Sequence, residues 1–295
     1  MLNNSGKKIL LSLHIVLVSI WLVSLISIIL MQLSKHYCLI ATHLLVVDKL
    51  IFILFDSVIM NISIAVAITG LLFSMFTNWG FFKFYWIITK WITIFFLAEI
   101  IMFFASPSIN GMASLSDVFR QECVSQPDYL KFEQGAIIYT SLQFLLLVAV
   151  IFISIFKPWG ARKPKFKVNR EIIILSGLII GFLLTISSVM QYSQLVHYRS
   201  LPVNDINVSN IDDDDYFGKV NYGFEYEVKV HIKNHKIENV EIIKNRDSFY
   251  ARLAEGINHK IIREQKINID AVTGATTTSK VLMKAVEAAL VTYER

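Results

Sequence analysis

The sequence predicts five membrane-spanning helices, an all-α membrane region, followed by a small α+β domain outside the cytoplasm. Three observations carry this reading. The 295-residue chain is 55% hydrophobic and only 17% charged, with a mean hydropathy of +0.55, too little polar surface to solvate a globule. Its charges are sparse through Met190 and dense afterwards. Residues 222–232 then alternate apolar and polar side chains, the period of a half-buried strand. Disorder, collagen, coiled coil and a disulfide-dense scaffold are excluded by the same composition.

A bilayer core takes about 20 apolar residues in a helix, because its backbone amides must bond internally. Five stretches qualify: Ile9–Met31, Leu50–Phe76, Phe84–Ala105, Ala136–Phe156 and Ile172–Met190. The first is too long for a signal peptide and lacks a small-residue cleavage site, so it reads as a signal-anchor. Lys/Arg bias sets the orientation. With the N-terminus in the cytoplasm, inner flanks hold Lys7, Lys8, Lys83 and the basic run Lys157–Arg170, whereas outer loops hold Lys35, Lys49, Arg120 and Lys131. That run is a stop-transfer and lipid-headgroup anchor.

Residues 1–201 carry 15 Lys/Arg against 8 Asp/Glu, and residues 202–295 carry 13 against 15. The basic excess thus belongs to the apolar part and implies no nucleic acid. Five crossings place the C-terminal domain outside the cytoplasm. The chain divides into a four-helix transmembrane region (1–170), a fifth helix with its linker (171–201) and an extracytoplasmic domain (202–295). Cys38 and Cys123 both fall in outer loops, where a disulfide is permitted.

Ionisable groups inside spans are costly and point to function. Asp56 and Glu99 lie at a common depth, about 9 Å below the outer ends of spans two and three at about 1.5 Å per residue, and are candidate proton carriers. His14 and Lys90 share a depth near the inner face. His43 lies at the outer side and cannot clamp one iron with His14, so haem is disfavoured. Gly177 and Gly181 form G-x-x-x-G in span five, a packing signal.

His14 and Trp21, Thr69-Gly70-Leu71-Leu72, Trp79 through Trp86 and Lys90-Trp91 resemble a family of uncharacterised four-helix bacterial membrane proteins. The resemblance covers roughly residues 8–156 and groups spans one to four. It brings no activity with it.

In the C-terminal domain, Phe224, Tyr226, Val228, Val230 and Ile232 form the buried face of a strand. Lys233-Asn234-His235 supplies a turn, and Ile237, Val240 and Ile242 continue a hairpin. The acidic run Asp212–Asp215 caps a turn; His231 and His235 are surface residues, and no metal-ligand set is read. Helical spacing covers Phe249–Glu264 and Val281–Thr292, with an extended Gln265–Ala271 between.

The segment Asp270-Ala271-Val272-Thr273-Gly274-Ala275-Thr276-Thr277-Thr278-Ser279-Lys280 joins that extended stretch to the last helix. Gly274 and Ala275 remove side-chain bulk where a backbone must approach a large ligand. Hydroxyls follow at Thr276–Ser279 just before the helix, whose N-terminal amides favour an anion such as phosphate. An ordinary Ser/Thr cap after a glycine turn would explain the local chemistry equally well.

D-x-x-[ST]-G-A-T followed by x-[ST]-S resembles the flavinylation motif of the FMN-binding domain family, which includes the peripheral flavoprotein subunits of sodium-translocating NADH:quinone reductases and Rnf complexes. The likeness extends upstream to Val228–Ile242 and spans roughly residues 212–292. The usual Asp-Gly opening of that domain reads Asp-Asp-Asp-Asp-Tyr-Phe-Gly here. The resemblance implies FMN bonded through its phosphate to Thr276 by a flavin transferase, with Asp270, Thr273, Gly274, Ala275 and Thr278 as the surrounding cofactor-binding positions. It further implies a membrane-anchored electron-transfer flavoprotein or oxidoreductase component. Electrons would pass from a membrane donor, a quinol or a partner redox subunit, to an extracytoplasmic acceptor. A non-catalytic redox-sensing or assembly subunit is the alternative, and a transporter finds no support from broken helices or inverted repeats.

Overall fold

The computed structural model describes residues 3–35, 41–77, 79–161 and 196–291. These fall into two compact units, one within Met1–Ile109 and Leu130–Phe182, the other within Asn110–Tyr129 and Leu183–Arg295.

The first unit is helical. It comprises α1 (Asn4–Ser34), α2 (Ala41–Ile53) running through a π-helical turn at Leu54–Ile59 into α3 (Met60–Phe76), α4 (Tyr85–Glu99) with a π-helical turn at Ile100–Ala105, and most of α6 (Pro127–Phe156). Among the described residues, four helical runs are long and apolar enough to cross a membrane. Ile9, Phe95, Phe103, Leu145 and Phe156 leave their side chains exposed, an apolar exterior that suits lipid rather than water. The predicted fifth span, with Gly177 and Gly181, lies outside the described residues, as does Cys38; Cys123 is buried. Lys35, expected in an outer loop, is buried instead. Its ammonium sits 2.6 Å from Asp48 and 3.1 Å from Glu133.

Span three does not end at Ala105. The helix continues as α5 (Ser106–Phe119) and a 3-10 turn over Arg120–Ser125. The sequence turns there from large apolar residues to Ser108, Asn110, Ser114, Ser116 and Asp117, all buried. Protein rather than lipid covers this stretch.

In the second unit, β1 (Asp215–Asn221), β2 (Glu225–Lys233) and β3 (Lys236–Lys244) form an antiparallel sheet in that order. The alternation in β2 is realised from Tyr226 onward, with Tyr226, Val228, Val230 and Ile232 all buried, whereas Phe224 precedes the strand and is half-buried. Asn234 and His235, both in the left-handed region, make the tight hairpin turn. The carboxylate of Asp213 accepts their N–H groups at 2.8 and 3.1 Å, and these bonds hold its pKa below the usual carboxylate value. The acidic run therefore caps that turn. β1 was missed in the sequence.

The single helix expected over 249–264 is two, α7 (Phe249–Ala254) and α8 (Ile257–Glu264). Gly256 lies at the break, and a Cβ there would meet Val118 at 2.5 Å. The last helix, α9 (Thr276–Val291), packs on β1 and β2. It starts five residues earlier than its apolar spacing suggests, so Thr276–Ser279 form its first turn rather than a leader to it.

Candidate functional site

The turn before α9 is built from four residues. Ala275 N–H donates to the Val272 carbonyl at 3.0 Å, and Gly274 has a φ of +80°. A positive φ at the third position of a turn is the type II geometry that glycine adopts without strain. Ser279 laces this turn to the helix, its Oγ accepting from Val272 N–H at 3.2 Å and donating to the Ala275 carbonyl at 3.0 Å.

The hydroxyls of the first helical turn are not equivalent. Ser279 is engaged within the turn. Thr277 Oγ accepts from Arg199 Nε at 3.4 Å, and Thr278 is buried. Thr276 is half-exposed at the first helical position, and among the described residues no hydrogen bond engages its hydroxyl. A hydroxyl so presented at the N-terminus of a 16-residue helix suits an esterified phosphate, since the helix amides and dipole stabilise its negative charge. A Cβ at Gly274 would run into a neighbouring side chain, so the glycine there makes room for protein rather than for the large ligand its sequence context suggests. Asp270, the first position of the motif, is exposed, whereas Thr273 and Ala275 are buried.

The second unit adds residues that the local pattern did not reveal. Asp117 of α5 receives three donors on one oxygen, Oδ2: Thr273 N–H and Oγ–H, each at 2.9 Å, and Lys260 Nζ at 3.2 Å. Asn110, on the same helix, lies so close to Gly274 that a Cβ there would meet its Oδ1 at 2.6 Å. Arg263 donates to the Val118 carbonyl at 2.8 Å, and the Phe119 and His259 rings lie 5.4 Å apart. More than 140 residues separate Asp117 from these partners, so no periodicity could have paired them.

The helical unit holds the remaining candidates. Asp56 lies within the first π-helical turn and Glu99 immediately precedes the second; such wide turns recur at functional positions in helices. No hydrogen bond or ion pair joins Asp56 to Glu99 among the described residues. His14 Nδ1 is 2.7 Å from Thr69 Oγ, and its ring meets Phe73 edge-on at 5.7 Å. An aromatic series, Phe73, Trp79 and Trp86, continues from it, with Lys157 over Trp79 and Lys90 over Trp86. His14 is thus a hydrogen-bonded packing residue, and His43 is exposed elsewhere.

No curated protein and no solved structure matches this chain. Its residues 221–291, which include Thr276 and the whole turn before it, match the family model of the FMN-binding domain.

Proposed function

We propose that the protein is a membrane-anchored flavoprotein that carries electrons through FMN bonded by its phosphate to Thr276. The observation that carries this reading is the match to the FMN-binding domain, together with the unengaged Thr276 hydroxyl at the start of α9. Bonding requires an activated donor, namely a flavin dinucleotide, and an external transferase. Thr276 Oγ gives up its proton and bonds to the FMN phosphorus as the pyrophosphate link breaks, and a nucleoside monophosphate leaves with the proton. The α9 N-terminus stabilises the phosphodiester charge. When bound, FMN supplies one- and two-electron transfer. The covalent bond retains it in a compartment without a flavin pool.

Membrane topology supports the same reading. Residues 110–129 follow span three and form one compact unit with residues 196–291. Span four carries the chain to the opposite face by Phe156, so an odd number of crossings must return it, and the sequence offers the apolar stretch 172–190 as the candidate for one. With the basic flanks inside, both segments lie outside the cytoplasm. The electron donor is then a quinol or partner redox subunit in the membrane, the acceptor lies outside, and Asp56 and Glu99 are the candidates for moving protons.

The test is the Thr276→Ala variant of the full chain, produced with a flavin transferase. Flavin fluorescence on a denaturing gel should disappear while membrane insertion persists. Undiminished fluorescence would remove Thr276 from the site.

A further inference from the structure

The geometry points to Asp117 as a positioning residue for flavin attachment, which makes α5 a built-in part of the attachment site. This rests on the reading of Thr276 as the modified residue. Asp117 lies between spans three and four, outside the residues that match the FMN-binding domain. Yet two of the donors on its Oδ2 come from one residue of the flavin turn, Thr273, through N–H and Oγ–H at 2.9 Å each. Thr273 occupies the second position of that turn, three residues before Thr276. Asn110 rests against the next residue, Gly274, so α5 touches the turn at two consecutive positions.

A buried carboxylate could balance Lys260 alone. Here Asp117 is 6% exposed and Lys260 3%, and the carboxylate also fixes Thr273. The first turn of α9 inherits that constraint through the Val272–Ser279 and Ser279–Ala275 bonds. Attack on phosphorus requires the Thr276 oxygen in line with the leaving group, and small displacements of a reacting atom lower rates steeply. Asp117 therefore presets the aim of Thr276, and a segment joined to span three governs how readily the flavin is loaded.

The experiment separates this role from a purely structural ion pair. Full-length protein is incubated with flavin transferase and flavin dinucleotide in detergent. The initial rate of covalent flavin incorporation and the melting temperature are measured for each variant. Lys260→Met leaves both Asp117–Thr273 bonds in place, and incorporation should fall less than about threefold. Adding Asp117→Leu removes both charges together, so no buried charge is orphaned, although the Thr273 donors lose their acceptor; incorporation should fall a further tenfold or so, well beyond what the change in melting temperature accounts for. Thr273→Ser, which keeps the hydroxyl donor, should load faster than Thr273→Val, which lacks it, and this pair decides the matter if the double variant fails to fold. Incorporation that merely tracks melting temperature across the set would overturn the positioning role. Wild-type protein that takes no covalent flavin would instead overturn the Thr276 reading, and this inference with it.

Discussion

Lys35 and Lys260 are both lysines with almost wholly buried side chains, 3% and 4% exposed, but the two regions use them differently. In the helical unit one ammonium serves two carboxylates, Asp48 at 2.6 Å and Glu133 at 3.1 Å. It joins α1, α2 and α6. In the domain unit the hub is the anion: Asp117 serves Lys260 and the neutral donors of Thr273. Removing the hub of a cluster orphans more than removing a spoke. The same residue type thus acts as hub in one region and spoke in the other.

The sharpest test of this contrast is Lys35→Met against Lys260→Met. Lys35→Met should destabilise the helical unit by about 3–5 kcal/mol, the usual cost of breaking a buried ion pair from one side. For Lys260→Met the loss should be about 1–3 kcal/mol, because Asp117 keeps two hydrogen bonds. Denaturation in mixed detergent micelles measures both. Equal losses would erase the distinction between hub and spoke.

What was legible in the sequence follows the same division between local and distant partners. Spans one to four, the β2–β3 hairpin and the turn around Gly274 announce themselves through apolar length, period two and turn chemistry, each within a few residues. β1 escaped because four aspartates and Gly218 obscure its alternation. Lys35 read as a flank charge because its partners lie on other helices, and Asp117 read as loop because Thr273 is 156 residues away. The start of α9 was misplaced for a different reason. Threonine and serine are weak helix formers in isolation, and here the Val272–Ala275 turn and Ser279 stabilise the first helical turn that they occupy.

Two glycines extend the comparison at a somewhat smaller scale. A Cβ on Gly218 of β1 would meet the Ala285 carbonyl oxygen at 2.0 Å and the Ala289 nitrogen at 2.7 Å, both backbone atoms of α9. A Cβ on Gly135 of α6 would meet Ser108 Oγ at 2.5 Å, the tip of a side chain that can turn away. Gly218→Ala should therefore cost about 2–3 kcal/mol, since helix and strand must separate, and Gly135→Ala less than about 1 kcal/mol. Thermal melts of the two variants compare them directly. A larger loss at Gly135 would mean that the helical unit is the more tightly packed of the two.

The smallest effect belongs to the exposed face of the sheet, where ion pairs sit in water. Glu225 lies 2.7 Å from both Lys219 and Lys244, and these hydrogen bonds, Lys219 foremost, lower its pKa from the ordinary 4.5 to about 2. A carboxyl whose pKa falls on folding adds stability that is fully present above its unfolded value and fades as pH drops through the folded one. Glu225→Gln should therefore lower the melting temperature slightly and evenly at neutral pH. The gap to the wild type should narrow as pH falls below 4.5 and close near 2, and high salt should shrink it throughout by screening exposed charges. A gap that widened in acid would mean that Glu225 gains stability as it is protonated, the opposite of what its two lysine partners require.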